Sequence, residues 1–114
     1  MEQVTGGFEA IRDHYFSVDV NFNRLFDACV NDSQKDQLRT DYVNSRDAFW
    51  EARDRLFTND DPLVSDLVKK LAAATDQLTT NLGDLEDIAR LLGVVDAGTS
   101  FASRLIALGA RGSS

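Results

Sequence analysis

From Phe8 to Leu82 the chain runs without a glycine, and its one proline is Pro62. The seven glycines stand at 6, 7, 83, 93, 98, 109 and 112. Such a stretch lets long helices form almost everywhere, because the two residues that most oppose a helix interior are missing. No strand-length segment alternates polar and apolar residues, so the expected class is all-α.

Apolar spacing then divides the chain. Val4, Phe8, Ile11, Tyr15, Val18, Phe22, Leu25 and Cys29 follow at alternating steps of four and three, an unbroken heptad seam on a helix expected from Thr5 to Val30. Asn31-Asp32-Ser33 breaks it, and Ser33 with Asp36 has the spacing of a capping box. Leu38, Tyr42, Ser45, Phe49, Ala52 and Leu56 form the seam of a second helix, expected over Gln34 to Phe57. Asp61 and Pro62 have the chemistry of an N-cap and a first helical position, so a third helix starts there. Its apolar face holds phase through Leu67, Leu78 and Ala89, which implies a helix continuous across Gly83 to Leu92 and stopped by Gly93. A shorter last helix, begun by Asp96 with Gly98 and Ala102 permitting close approach, would end at Gly109. Short connections force neighbours antiparallel. The expectation is one up-down-up-down bundle over residues 1–110, three long helices and a shorter fourth, with 111–114 a frayed tail.

Composition bounds what the bundle does. Nineteen acidic against twelve basic residues give a net charge of −7, which opposes a surface that neutralises duplex phosphates. Cys29 stands alone, so neither an intrachain disulfide nor a cysteine zinc site is expected. The N-terminus lacks the order of a signal peptide, and no membrane-spanning run is expected. These features point to a reducing, cytoplasmic setting.

The chemistry of a site is scarce. One histidine and four glutamates do not supply the two Glu-x-x-His pairs of a di-iron bundle. His14 borders the core face near Ile11 and Val18 and reads as a partly buried, hydrogen-bonded side chain. Asp19-x-Asn21-x-Asn23 opens like a calcium loop, but Arg24 replaces the required glycine and Val30 the final glutamate. No phosphate loop and no nucleophile–base constellation occurs. The expectation is a protein without catalytic residues, cofactor or metal.

The informative residues are apolar ones the seams leave over. Phe16 and Val20 point roughly 130° and 170° from the first seam at helical spacing, among Glu9, Asp13 and Asp27. Val43, Trp50 and Phe57 form a second heptad row on helix 2, flanked by Arg39, Arg46 and Arg53. Both rows fit an interface with an apolar centre and charged rim. The first row equally fits a helix packed on two sides within one bundle, and for Val43 and Phe57 the favoured reading is a wide apolar face inside the bundle with arginine stems covering its edge. The functional expectation is a small acidic interaction module, of the inhibitor, immunity or adaptor kind. It would contact a protein partner through Phe16, Val20, Glu9, Asp13, Asp27, Trp50, Arg46 and Arg53. The alternative is a self-assembling helical protein, paired through the same rows as a homodimer or larger bundle.

Overall fold

The computed structural model describes residues 6–56, 61–83 and 85–111. It is an all-α bundle of four mutually packed helices, as the glycine-free stretch implies: α1 Gly7–Ala28, α2 Asp32–Ala52, α3 Pro62–Thr80 and α4 Ile88–Leu108. Ring pairs Phe8–Phe49 and Tyr15–Tyr42 fix α1 and α2 as an antiparallel hairpin. Grooves pairing Leu63 with Leu108 and Gln77 with Arg90 fix α3 and α4 as a second. The hairpins stack so that α1 packs on α3 and α2 on α4. Across the middle, α1 and α4 meet on the short diagonal, whereas α2 and α3 occupy opposite corners.

Capping chemistry sets most boundaries. Asn31 Oδ1 accepts from the Gln34 backbone N–H at 2.8 Å, and Gln34 Oε1 accepts from the Val30 N–H at 2.8 Å. This reciprocal pair lies two residues before the expected Ser33/Asp36 box, so α2 begins at Asp32. Asp61 caps α3 as its chemistry requires, accepting from Leu63 N–H at 2.9 Å with Pro62 in the first turn. Helix α2 stops at Ala52 rather than Phe57. Beyond it Arg55–Leu56 pairs antiparallel with Ala110–Arg111 in a two-residue backbone ladder (β1 and β2). Val4, Phe57 and the tail 112–114 lie outside the described residues.

The third and fourth helices divide differently from the sequence expectation. Helix α3 ends at Thr80, a short 3-10 turn occupies Leu85–Asp87, and α4 is a full 21-residue helix. Gly83 therefore lies in the connection, while Gly93 and Asp96 lie inside α4 and neither stops nor caps it. Asn81 Nδ2 donates to Gln77 O at 2.7 Å, and Arg24 of α1 reaches Leu82 O at 3.4 Å. The apolar phase misled because the turn keeps Leu82 and Leu85 against the core after the backbone has left the helix. The phase breaks at the next step, where Ile88 is buried and Ala89 exposed.

Two apolar clusters fill the bundle. One end holds Ile11, Val64, Leu67, Leu71 and Leu105. The other holds Val18, Leu25, Leu38, Leu78, Leu91 and Val95. Between them lie His14, Asp41, Ser45 and Thr99, all buried.

Candidate functional site

The α1/α2 seam is built from rings. Phe49 of α2 lies 5.7 Å from Phe8, 5.4 Å from Tyr15 and 5.4 Å from Phe16, centroid to centroid. Tyr42 continues the row, 5.9 Å from Tyr15 and 5.0 Å from Phe22, which stacks on Phe26 at 5.6 Å. Cations cover its ends and edge. Arg12 lies over Phe8, Arg39 over Phe26 at 4.9 Å, and Arg46 over Trp50 at 5.1 Å. Tyr42 Oη donates to Asp19 at 2.7 Å, and that bond to a carboxylate holds the phenol protonated well above its usual range.

This seam leaves apolar surface outside. Phe16 is 46% exposed, Val20 77%, Val43 39% and Trp50 51%. Phe16 packs on Tyr15 at 5.7 Å and on Phe49 at 5.4 Å, with its outer side open. The charged candidates divide. Asp27 and Arg53 are exposed; Asp13 is exposed and pairs with Arg12 at 3.2 Å. Glu9 bends its carboxylate back over Gly6, where an added Cβ would lie 2.9 Å from Oε1. Arg46 is half-buried against Trp50, its Nε 3.8 Å from Asp47. Of the eight candidates, Phe16, Val20, Trp50 and Arg46 belong to one outer face of the α1/α2 hairpin; Asp13 instead lines a hollow on the α1/α3 side with Ala72, Thr75 and Asp76.

The polar layer in mid-core was not among the sequence candidates, apart from His14. Thr99 Oγ1 donates to Val95 O at 2.9 Å, so its oxygen accepts from His14 Nε2–H at 3.1 Å. That fixes the tautomer and leaves Nδ1 as a buried lone pair without a hydrogen-bond partner. A Cβ on Gly98 would lie 2.7 Å from Nδ1, so only glycine admits the ring there. Burial lowers the His14 pKa to about 4. Asp41, buried on α2, faces Asp96 of α4. Desolvation, then the hydrogen bond and charge of Asp96, push its carboxyl up to about 7. The layer bonds α1 to α4 through His14 and Thr99, and it brings the buried Asp41, whose Oδ2 has no hydrogen-bond partner, against the solvent-exposed Asp96 between α2 and α4. Asp41 was readable only through a competing seam, Leu38-Asp41-Ser45-Ala48-Ala52, which shares three residues with the apolar one.

The opposite face is a groove between α3 and α4. Two hollows of about 430 and 330 Å³ meet at Lys70, lined by Ala73, Gly93, Ala97, Phe101 and Leu108 with Arg90 and Arg104 at the edges. Lys70 pairs with Asp66 at 3.0 Å. The segment Leu85–Leu108, which supplies one wall, has a mean hydropathy of 1.4 and is long and apolar enough to cross a membrane. Here its Ile88, Leu91, Leu92, Val95, Ala102 and Leu105 are core.

Among the described residues no group of three His, Cys, Asp or Glu side chains is placed to hold a metal. Cys29 is half-buried, its thiol 3.3 Å from Leu25 O and raised above its usual pKa by burial, against the opposing charge of Lys35. No protein-family model, curated protein or solved structure matches the chain.

Proposed function

We propose that the protein is a non-enzymatic interaction module whose working surface is the outer face of the α1/α2 hairpin. The observation that carries this reading is the joint exposure of Phe16, Val20, Val43 and Trp50 above a seam already filled by other rings. Phe16 rests on Tyr15 and Phe49 at the edge of the seam, but none of the four belongs to either apolar core cluster, and each leaves a large apolar area outside. Large apolar side chains beside arginines, with carboxylates around them, are what binding centres are made of. Of the polar groups in the core, His14 is bonded to Thr99 through one ring nitrogen, and Asp41 lies beside Asp96 with one oxygen unpartnered.

The test is the double variant Phe16→Ser with Val20→Ser. Its unfolding free energy should stay within about 0.5 kcal/mol of wild type, as at other surface sites. A protein retained by the immobilised wild-type chain should be lost by the variant. If the double variant unfolds, these side chains are structural and the surface reading fails.

A further inference from the structure

We propose that Asp41 and Asp96 hold a hard divalent cation, of the Mg²⁺ or Ca²⁺ kind, in the seam between α2 and α4. On that seam Ala48 of α2 and Ser103 of α4 line one hollow. Seven residues back on each helix stand Asp41 and Asp96, within hydrogen-bond reach of each other. Asp41 is 5% exposed, and its Oδ2 has no hydrogen-bond partner. An ionised carboxylate accepts hydrogen bonds and donates none, so Asp96 does not satisfy that oxygen while both are charged. What the pair lacks is positive charge. The two acids of the neighbouring hollow each have an arginine: Asp47 has Arg46 at 3.8 Å, and Glu51 has Arg55 at 2.8 Å. Among the described residues neither Asp41 nor Asp96 takes part in an ion pair. A buried carboxylate without a counter-charge is costly, and a cation between the two acids removes that cost.

The donor set selects the ion. Both ligands are carboxylate oxygens, which suit hard cations and not soft ones. Asp96 is solvent-exposed, so an ion can enter from water on its side and keep part of its hydration shell. Mg²⁺ is held in this way when one or two carboxylates bind it. The site brings together two acids and not a group of three, so water completes the coordination. The acids of the α1/α3 hollow, Asp13 and Asp76, do not match this arrangement: both are exposed, and Asp13 is paired with Arg12.

The experiment is thermal unfolding above neutral pH, where the pair is ionised, with MgCl₂, CaCl₂ or MnCl₂ added at constant ionic strength. It compares wild type with Asp41→Asn, Asp96→Asn and Asp47→Asn. The wild-type midpoint should rise saturably with at least one of the ions, half-maximal at or below about 1 mM. Asp41→Asn and Asp96→Asn should each lose that rise. Asp47→Asn removes an acid that has its own arginine, and should keep it. Asp96 is exposed, so Asp96→Asn tests the site without disturbing the core. Electron paramagnetic resonance should count one Mn²⁺ bound to wild type and none to Asp96→Asn. No saturable rise up to about 10 mM of any of the three ions overturns the proposal and leaves the pair to a shared proton. A rise that persists in Asp96→Asn also overturns it, placing the ion on other surface acids.

Discussion

The two hairpins close the same core with opposite materials. Between α1 and α2 the seam is paved with seven rings, and what does not fit inside stands proud as Phe16. Between α3 and α4 the floor of the outer face includes the small residues Ala73, Ala74, Gly93 and Ala97, and the result is a depression rather than a ridge. Side-chain volume at the seam sets which kind of outer surface a helix pair presents. The aromatic face is surplus to one bundle; the small-residue face is a shortfall.

The strongest way to break this contrast is Phe49→Ala. It removes the ring that touches Phe8, Tyr15 and Phe16, and should cost about 3–5 kcal/mol in chemical denaturation; Leu71→Ala in the shared core should cost about 2–5 kcal/mol. A loss under about 1 kcal/mol for Phe49→Ala would mean the rings are surface ornament and not a packed seam.

The layer between the hairpins comes next. Gly98→Ala drives a methyl into the enclosed His14 ring and should cost about 1–3 kcal/mol. The penalty should shrink sharply in a His14→Ala background, a coupling that a double-mutant cycle reads directly. An additive result would show that the ring has room to move.

The same layer has a pH signature of two opposed signs. His14 stays neutral in the fold down to about 4 but takes a proton from 6.5 when unfolded, so its contribution is lost as pH falls through that window. Relative to wild type, His14→Gln should gain up to about 1.4 kcal/mol per pH unit over that fall. Asp41 keeps its proton in the fold up to about 7 but releases it near 3.8 when unfolded. Its contribution is therefore lost as pH rises, and Asp41→Asn should gain on wild type in that direction. Difference curves from urea unfolding between pH 4 and 7 check both. Parallel curves for the three proteins would dissolve the layer as an electrostatic unit.

The smallest effect sharpens the contrast most finely. Gly93 and Gly98 share α4, yet a Cβ at Gly93 meets nothing within 4 Å. Gly93→Ala should therefore stabilise the bundle by about 0.5–1 kcal/mol through helix propensity alone, seen as a raised thermal midpoint. A destabilised variant would place a packed neighbour in the groove.

Helical class, the antiparallel order and the Asp61–Pro62 start were legible because each rests on local chemistry that tertiary contacts reinforce. The third boundary was hidden, since a turn that returns Leu82 and Leu85 to the core counterfeits helical phase. The seams of α1 and α2 were legible but rotated. Tyr42 and Phe49 fit the heptad, but the centre of α2 took Asp41, Ser45 and Ala48, and the rings went to the boundary with α1. Periodicity reports that a face is apolar; volume decides which edge of it reaches the centre, and volume depends on the partner helix. Phase set Phe16, Val20 and Trp50 apart from the seams but left open whether a neighbouring helix covers them, and their exposure was decided only by where α3 and α4 pack. Lys70, Arg90 and Arg104 share a groove only because α3 and α4 run antiparallel, so their proximity was invisible along the chain.

The diagonal step from α2 to α3 has a consequence for assembly errors. Since one connecting segment alone joins the two hairpins, two chains could trade hairpins and rebuild every contact with only the segment between Ala52 and Pro62 drawn open. The two-residue ladder ties the start of that segment, Arg55–Leu56, to the end of its own chain at Ala110–Arg111. Arg55 also donates to Gly109 O at 3.3 Å. In exchange terms this is a latch. It must be undone before the hairpins part, so it guards the choice between folding alone and folding entangled with a neighbour.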